Sequence, residues 1–209
     1  MRFVGVDPGK LGGIAFLDAE GHVLELFATP MLSSVRQRRR GRVVVDVTTQ
    51  VYDLATIAHI FRARADPRLP DRGMFVSVEQ LDDLPAFRSR HKGEAPEAMG
   101  GGKANHARGQ AILWPAMLAA FRIPYLLVRP QEWQRAMMLG FPGKDTKARS
   151  VAIARATWPA VSLLRTTLSR VEDDGLADAL LMAEYGRRKH LGGAVFASAV
   201  RESAGGVRP

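Results

Sequence analysis

The chain has 209 residues, of which 46% are hydrophobic, so it is long enough to bury the core of one globular domain. Its net charge is +9, with 24 arginines and 6 lysines against 21 acids. Such basicity favours a polyanionic partner, above all nucleic acid, although a GC-rich genome also enriches arginine. Because the chain has no cysteine, disulfides, zinc–thiolate centres and thiol nucleophiles are excluded.

Membrane insertion and secretion find no support in the sequence. No apolar run reaches the roughly 18 residues that a membrane span needs. Asp7 and Lys10 interrupt the apolar stretch that a signal peptide would have. We therefore expect a cytoplasmic protein without a membrane partner.

The first part of the chain has the pattern of three short strands, over 2–7, 12–18 and 22–28. The turn residues between them, in DPGKLGG and DAEGH, predict an antiparallel meander. The segment SSVRQRRRGR, 33–42, is predicted to be a basic loop or the tip of a hairpin. A helix is predicted next, because apolar residues recur at spacings of 4, 3, 4 and 3, namely Val47, Val51, Leu54, Ala58 and Phe61.

The second part of the chain alternates strands and helices. Strands are predicted at 74–80 and 124–130, and residues 82–106 form a long loop of the kind that is functional or disordered. A helical stripe follows over 107–121, where Pro115 either kinks the helix or begins a new first turn. Three more helices are predicted, the second capped by Asp145 or Thr146, over 131–140, 144–159 and 173–189.

This element order predicts an α/β fold with a mixed five-stranded sheet. A three-stranded antiparallel meander is followed by parallel strands, and helices flank the sheet. We expect residues 1–190 to form a single domain. Residues 191–209 are mostly small and are expected to form a flexible tail.

Carboxylates stand at positions where the pattern predicts buried structure. Asp7 ends the predicted first strand, and Glu79 lies at the end of the strand at 74–80. In EDDGLADALLMAEYG, residues 172–186, Asp174 and Asp178 share one helical face with apolar residues that must face the protein. Taken singly, turn formation, helix capping or a surface ion pair would explain most of these acids. Asp178 lies about a turn inside its helix, where capping does not explain it.

Inward-facing carboxylates repel one another, and burying unpaired charge costs free energy. A divalent cation removes both problems, and oxygen-only ligands suit Mg²⁺ or Mn²⁺. Two such ions about 3.5–4 Å apart can activate a water and stabilise a leaving oxygen in phosphodiester cleavage. An acidic metal pocket in a basic protein is the charge distribution expected of a nuclease.

In their order along the chain, these segments resemble a known family. VGVDPGKLGGIAFLD (4–18), FVSVEQ (75–80) and DDGLADALLMAEYG (173–186) are similar to the RuvC branch of RNase H-like nucleases. These are Holliday-junction resolvases, including those that phages encode. IPYLLVRPQEWQ (123–134) and GKDTKARSVAIA (143–154) are similar to the strand and the basic helix start that follow in the family. The similarity extends over about residues 2–188.

The resemblance implies an RNase H-like fold, divalent-metal catalysis, a homodimer and paired nicking of four-way DNA junctions. It implies two Mg²⁺ or Mn²⁺ ions and assigns the catalytic, metal-binding acids to Asp7, Glu79, Asp174 and Asp178. It also assigns Lys147 to a position near the cleaved phosphate. Many family members separate the last two acids by three residues, and Gly175 occupies that position here. Asp174 keeps the same helical face as Asp178 and is therefore preferred to Asp173.

DNA contacts are predicted where basic residues are dense outside regular elements, and at the basic start of the helix at 144–159. They are Arg36, Arg38, Arg39, Arg40, Arg42, Arg88, Arg90, Lys92, Lys103, Lys144 and Lys147. For a twofold dimer, the apolar patch is expected around Ile112, Leu113, Trp114, Met117 and Leu118. Trp114 and Leu118 belong to the inward stripe of that helix, which leaves Leu113 and Met117 for a partner or for a second side of the core.

Other functions stay open on the sequence. Actin-like ATPases and sugar kinases also begin with a strand, an aspartate and a glycine-rich hairpin, but they need two such domains, and 209 residues are few for that. A non-catalytic DNA-binding scaffold would have no need of four acids. Within the nuclease class, the sequence does not separate a junction resolvase from a nuclease of flaps, other branched DNA or RNA–DNA hybrids.

Overall fold

The computed structural model describes residues 1–41, 43–80, 87–88, 97–98, 112–143 and 145–204. For residues 36, 38, 40, 87–88, 97–98 and 193–204 it describes the backbone alone. The strands are β1 (Arg2–Val6), β2 (Gly13–Leu17), β3 (Val23–Ala28), β4 (Met31–Arg40), β5 (Val43–Tyr52), β6 (Met74–Glu79), β7 (Phe87–Arg88), β8 (Glu97–Ala98) and β9 (Tyr125–Val128). The helices are α1 (Leu54–Arg62), α2 (Leu113–Ala120), α3 (Pro130–Met137), α4 (Thr146–Thr157) and α5 (Asp174–Ala204).

The central sheet has five strands in the order β3-β2-β1-β6-β9. β1, β2 and β3 form an antiparallel meander, and β6 and β9 continue the sheet parallel to β1. The predicted α/β fold class, a mixed five-stranded sheet of an antiparallel meander followed by parallel strands and flanked by helices, is therefore confirmed. Because β1 and β6 are parallel neighbours, with Val6 opposite Val78, the residues that follow them lie at the same edge of the sheet.

Helices cover both faces of this sheet. Alternate residues of β2 illustrate the arrangement, since Ile14 and Phe16 pack in one hydrophobic cluster with α1 and α2, and Ala15 and Leu17 in the other with α3, α4 and α5. Helix α5 lies closest to the sheet. A Cβ atom on Gly5 would come within 2.0 Å of the Ala179 carbonyl oxygen, so only glycine permits this approach.

The helix predicted from Val47 to Phe61 is wrong in its first half. Val47 and Val51 belong to β5, which pairs along its whole length with β4, and the helix α1 begins only at Leu54. Asp53 caps α1, since its side chain accepts a hydrogen bond from the Thr56 backbone N–H at 3.0 Å. The described residues of the basic segment, 33–41, thus belong to a long two-stranded hairpin formed by β4 and β5.

Other boundaries differ less. Pro115 lies in the first turn of α2, as one of the two predicted alternatives has it, and the earlier part of that stripe lies outside the described residues. Asp145 caps α4 by accepting from the Lys147 backbone N–H at 3.0 Å, as predicted. Helix α5 continues to Ala204, beyond the predicted end at 189. That 191–209 form a flexible tail, and 1–190 a single domain, stays a prediction.

Candidate metal centre

Two of the predicted acids lie at the carboxyl ends of neighbouring strands. Asp7 comes directly after β1, and its Oδ1 accepts a hydrogen bond of 2.8 Å from the Gly9 backbone N–H, which closes the turn at Pro8. Glu79 is the last residue of β6, and Trp133 on α3 donates its indole Nε1–H to Glu79 Oε1 at 2.9 Å. The parallel pairing of β1 and β6 brings both carboxylates to one edge of the sheet.

The other two acids come from the first two turns of α5, which begins beside the β1–β2 loop. The helix lies so close to this loop that a Cβ atom on Gly175 would be 2.0 Å from the Leu11 carbonyl oxygen. This explains why glycine, and not a third aspartate, occupies the position between Asp174 and Asp178. The packing places both aspartates toward the strand ends that carry Asp7 and Glu79, and we name these four residues the acidic site.

The electrostatics of the acidic site show that its members lie near one another. Burial raises the pKa of Asp178 to about 7, and the charges of Asp7, Glu79 and Asp174 add to that increase. The pKa of Asp7 is also raised, chiefly by burial and then by Asp174 and Asp173, while the Gly9 hydrogen bond and Arg165 act against this increase. The charges of neighbouring acids therefore disfavour the ionisation of Asp7 and Asp178.

A divalent cation fits this set of donors. The Asp178 Oδ1 atom is buried and has no hydrogen-bond partner, which leaves a carboxylate oxygen available to a cation or a water. The donors of the acidic site are all carboxylate oxygens, the type that Mg²⁺ and Mn²⁺ prefer. A cation at this point would also reverse the repulsion that raises the pKa values of Asp7 and Asp178.

Comparison with known proteins finds similar chains among solved structures alone. No protein-family model matches the chain, and no curated protein does. The solved structure of Thermus thermophilus RuvC matches with a TM-score of 0.42 and 16% identity, and that of T. thermophilus RuvC in complex with a Holliday junction substrate with 0.45 and 13%. Each match covers 92% of this chain and 97% of the other. At such identities the activity has to be argued from this chain's own residues.

Lys147 and Asp173 complete the surroundings of the acidic site. Lys147 forms an ion pair with Asp174, with 2.6 Å between Nζ and Oδ2, and this hydrogen bond raises the pKa of the lysine. Asp173 has a different role from Asp174. Its Oδ1 caps α5 by accepting from the Leu176 backbone N–H at 3.1 Å, and both of its oxygens accept from Arg165, at 2.6 and 2.8 Å.

The sequence did not single out Trp133 or Ser150, which contact two of the acids. Trp133 is fully buried and holds Glu79 from α3. The Ser150 hydroxyl on α4 can donate to the Thr146 carbonyl at 3.1 Å or to Asp178, whose pKa it lowers; the ionised carboxylate is the stronger acceptor. Both contacts depend on how α3 and α4 pack on the sheet, and no local motif gives that. Near these residues, the sequence indicates only where α3 begins, through Pro130 in its first turn.

The predicted DNA contacts lie on several segments. Arg36, Arg38 and Arg40 are on β4, where the backbone alone is described, and the side chain of Arg39 is exposed. Arg88 is on the short strand β7. Lys147 lies beside the acidic site. The remaining predicted contacts lie outside the described residues, namely Arg42, Arg90, Lys92, Lys103 and Lys144.

A second group of potential metal ligands lies elsewhere. Asp18, Glu20 and His22, in the β2–β3 turn, have ligand atoms within 4.8 Å of one another, and no other trio in the described part of the chain does. The carboxylate oxygens of the acidic site are therefore farther apart than the ligand atoms of this turn. Asp18 accepts hydrogen bonds from the His22 backbone N–H at 2.8 Å and from its ring at 3.0 Å, which is the bonding of a polar turn.

Proposed function

We propose that this protein is a metal-dependent endonuclease that cuts branched DNA, and specifically four-way junctions. The observation that carries the proposal is the convergence of four carboxylates from β1, β6 and α5 at one sheet edge, one of them with a buried, unpartnered oxygen. The net charge of +9 supports a polyanionic substrate, because an acidic pocket in a neutral or acidic protein would repel DNA.

The four acids of the acidic site would hold one or two Mg²⁺ or Mn²⁺ ions. When bound, such ions lower the pKa of a coordinated water and stabilise the charge of the scissile phosphate. Glu79 enters this site with its orientation already set by Trp133, and Asp7 with its turn closed by Gly9. Lys147, 2.6 Å from Asp174, could shift from that carboxylate to a phosphate oxygen of the DNA.

A four-way junction is favoured over other branched DNA by the resemblance of the ordered motifs. Resolution needs two cuts on opposed strands, and each chain supplies one set of four acids. A twofold homodimer would supply two sets with the symmetry that the junction itself can adopt. The predicted basic contacts would hold the DNA backbone.

The location of the protein in the cytoplasm stays a prediction. No helix among the described residues is long and apolar enough to cross a membrane.

Cleavage of matched substrates tests this proposal. Four-way junction, flap, RNA–DNA hybrid and linear duplex of the same sequence are incubated with the protein and Mg²⁺ or Mn²⁺, and the cut positions are mapped. We expect paired, symmetrical nicks in the junction and slow or no cleavage of the linear duplex. Equal cleavage of all four substrates would contradict the junction preference, and cleavage of none would contradict the nuclease itself.

Variants of the acids test the site. Asp7→Asn, Glu79→Gln and Asp178→Asn should each abolish cleavage, since loss of a metal ligand removes charge stabilisation worth several kcal/mol, and junction binding should survive. Asp174→Asn should also reduce cleavage strongly. Asp173→Asn is the matched control. Asp173 is the neighbouring acid, but its carboxylate caps α5 and accepts hydrogen bonds from Arg165. Wild-type cleavage in the Asp7 or Asp178 variant would refute the mechanism, and a stronger loss in Asp173→Asn than in Asp174→Asn would reverse that assignment.

A further inference from the structure

The hairpin formed by β4 and β5, which we name the β-ribbon, is separate from the five strands of the central sheet. Ten residues of Met31–Arg40 pair with ten of Val43–Tyr52, and the two strands form a sheet of their own. At about 3.3 Å per residue the β-ribbon is roughly 33 Å long. A two-stranded hairpin is marginally stable by itself in water, so a ribbon of this length indicates a partner that covers it.

The exposed surface of the β-ribbon combines apolar and basic residues. Leu32 and Val35 on β4, and the adjacent Val43 and Val44 on β5, are between 51% and 63% exposed. The segment 31–52 also contains five arginines and a single acid, Asp46, for a net charge of +4. Two copies of this segment would repel each other, so the charge favours a polyanion over a second copy of the chain.

The base of the β-ribbon is bonded to the loop that carries Asp7. The Tyr52 hydroxyl donates to the Pro8 carbonyl, and the Thr29 backbone N–H donates to the Gly12 carbonyl at 3.0 Å. Tyr52 is 6% exposed and packs edge-on against Trp114, with 5.7 Å between the ring centres. These contacts attach the base of the β-ribbon to the loop that carries Asp7, so a duplex that lies along the ribbon and reaches its base would come close to the acidic site.

We propose that the β-ribbon lies in the major groove of the duplex arm that leads to the cut phosphate. This inference rests on the proposed nuclease function and adds to it a second DNA-binding element on the same chain. The major groove is about 12 Å wide and admits a two-stranded ribbon, and one turn of duplex is about 34–36 Å, close to the length of the β-ribbon. Arginines within the groove can bind guanine and the flanking phosphates, and valines can contact thymine methyl groups.

Two variants test this proposal in the Asp7→Asn background, where DNA binds without being cut. In the first, residues 35–48 are replaced by Asn-Gly, so that the retained pair Ser34 and Thr49 closes a two-residue turn. In the second, Arg36, Arg38, Arg39, Arg40 and Arg42 are replaced by Gln in the full-length chain. The control replaces four arginines by Gln around the starts of β6 and β9, far from the acidic site, at Arg62, Arg68, Arg72 and Arg122.

Binding to a junction and to a linear duplex is measured against salt. We expect both β-ribbon variants to bind roughly 100-fold more weakly, with the log–log salt slope reduced by about 0.9 for each lost phosphate contact, while the control keeps the wild-type slope. Methylation protection of guanine N7 by the Asp7→Asn protein should disappear in both variants, since N7 faces the major groove. Circular dichroism and thermal melting establish whether each variant is folded. If the shortened variant does not fold, the full-length Gln variant still tests the proposal.

The outcomes separate this inference from the proposed function. Slopes and N7 protection in the Gln variant equal to those of the control would overturn it, even if wild type cuts junctions. Loss of dimerisation in the shortened variant with unchanged DNA binding would overturn it too, since the β-ribbon would then cover a second copy. If wild type cuts nothing but the β-ribbon variants lose binding and protection, the nuclease proposal fails and the DNA-binding ribbon stands.

Discussion

At the scale of single residues, burial of Asp178 makes its charge depend on pH within the physiological range. Its pKa is about 7 in the folded protein, against 3.8 for an unperturbed aspartate, so the folded state keeps a proton that the unfolded chain has lost. In a chelator, stability should therefore fall as pH rises from about 4 to about 7, and level off above that range.

Asp178→Asn removes this dependence. We expect the variant to be more stable than wild type at pH 7 and above in a chelator, by at most about 4 kcal/mol, and nearly equal at pH 4. Urea unfolding across this pH range measures the difference. A residual slope from Asp7, whose pKa is also raised, should remain in the variant. Parallel curves for the two proteins would show that Asp178 ionises normally and that its environment is more polar than described.

Trp133 gives a second prediction at this scale, because its indole N–H bonds Glu79 Oε1. Trp133→Phe should raise the Mg²⁺ or Mn²⁺ concentration needed for half-maximal cleavage by about 10–100-fold, as loss of a group that orients a metal ligand does. Trp158→Phe is the matched control, since that indole donates to the Gly21 carbonyl at 2.9 Å, away from the acidic site. Equal metal dependence in the two variants would show that Trp133 acts in packing alone.

The four acids could be found in the sequence because each breaks a pattern: Asp7 and Glu79 at strand ends, Asp174 and Asp178 on an apolar helical face. Their supporting residues could not. Trp133 and Ser150 are a typical core tryptophan and a typical helix serine in the sequence, and they meet the acids only because α3 and α4 cross the same face of the sheet. Contacts between elements that are distant in sequence leave no local signal.

At the scale of elements, the close approach of α5 to the β1–β2 loop depends on Gly175. Gly175→Ala would place a methyl group 2.0 Å from the Leu11 carbonyl oxygen, and the helix would have to move. We expect a loss of about 3 kcal/mol or more in the free energy of unfolding, together with strongly reduced cleavage. Denaturant unfolding measures the first quantity and junction cleavage the second.

Gly192→Ala is the control for this change, because Gly192 is on the same helix and a Cβ atom there meets nothing within 4 Å. Alanine is the better helix former, so this variant should gain up to about 1 kcal/mol and keep full activity. A Gly175→Ala protein as stable and active as Gly192→Ala would mean that α5 does not need its close approach to the loop.

The segment 43–52 shows why one element was predicted wrongly. Val47, Val51 and Leu54 fit a helical spacing, but Val43, Val45 and Val47 alternate with a period of two, and short apolar runs satisfy both patterns. The abundance of valine and threonine favours a strand, and pairing with β4 decides in its favour. The partner strand, β4, contains most of the basic segment, and the charge of that segment predicted a DNA contact but gave no indication of a strand.

At the scale of the whole molecule, the proposed twofold dimer gives a further prediction. Trp114 and Leu118 are buried in the core, and Leu113 and Met117 are partly buried against the same cluster, which leaves Ile112, 66% exposed, as the strongest candidate for an interface. Light scattering of the free protein should give close to twice 22.9 kDa. Mixed dimers with one Asp7→Asn subunit should nick one strand quickly and leave the opposed strand intact. A monomer that makes paired cuts would contradict this arrangement.

The order of the four acids along the chain has a consequence for biosynthesis. Asp7 and Glu79 emerge from the ribosome early, but the acidic site lacks two ligands until Asp174 and Asp178 have been made and α5 has docked on the sheet. Small residues of α5 also fill the face of β1, so a nascent chain that ends before this helix lacks much of its core. The proposed nuclease would thus be inert throughout elongation and acquire its activity only once α5 has docked on the sheet.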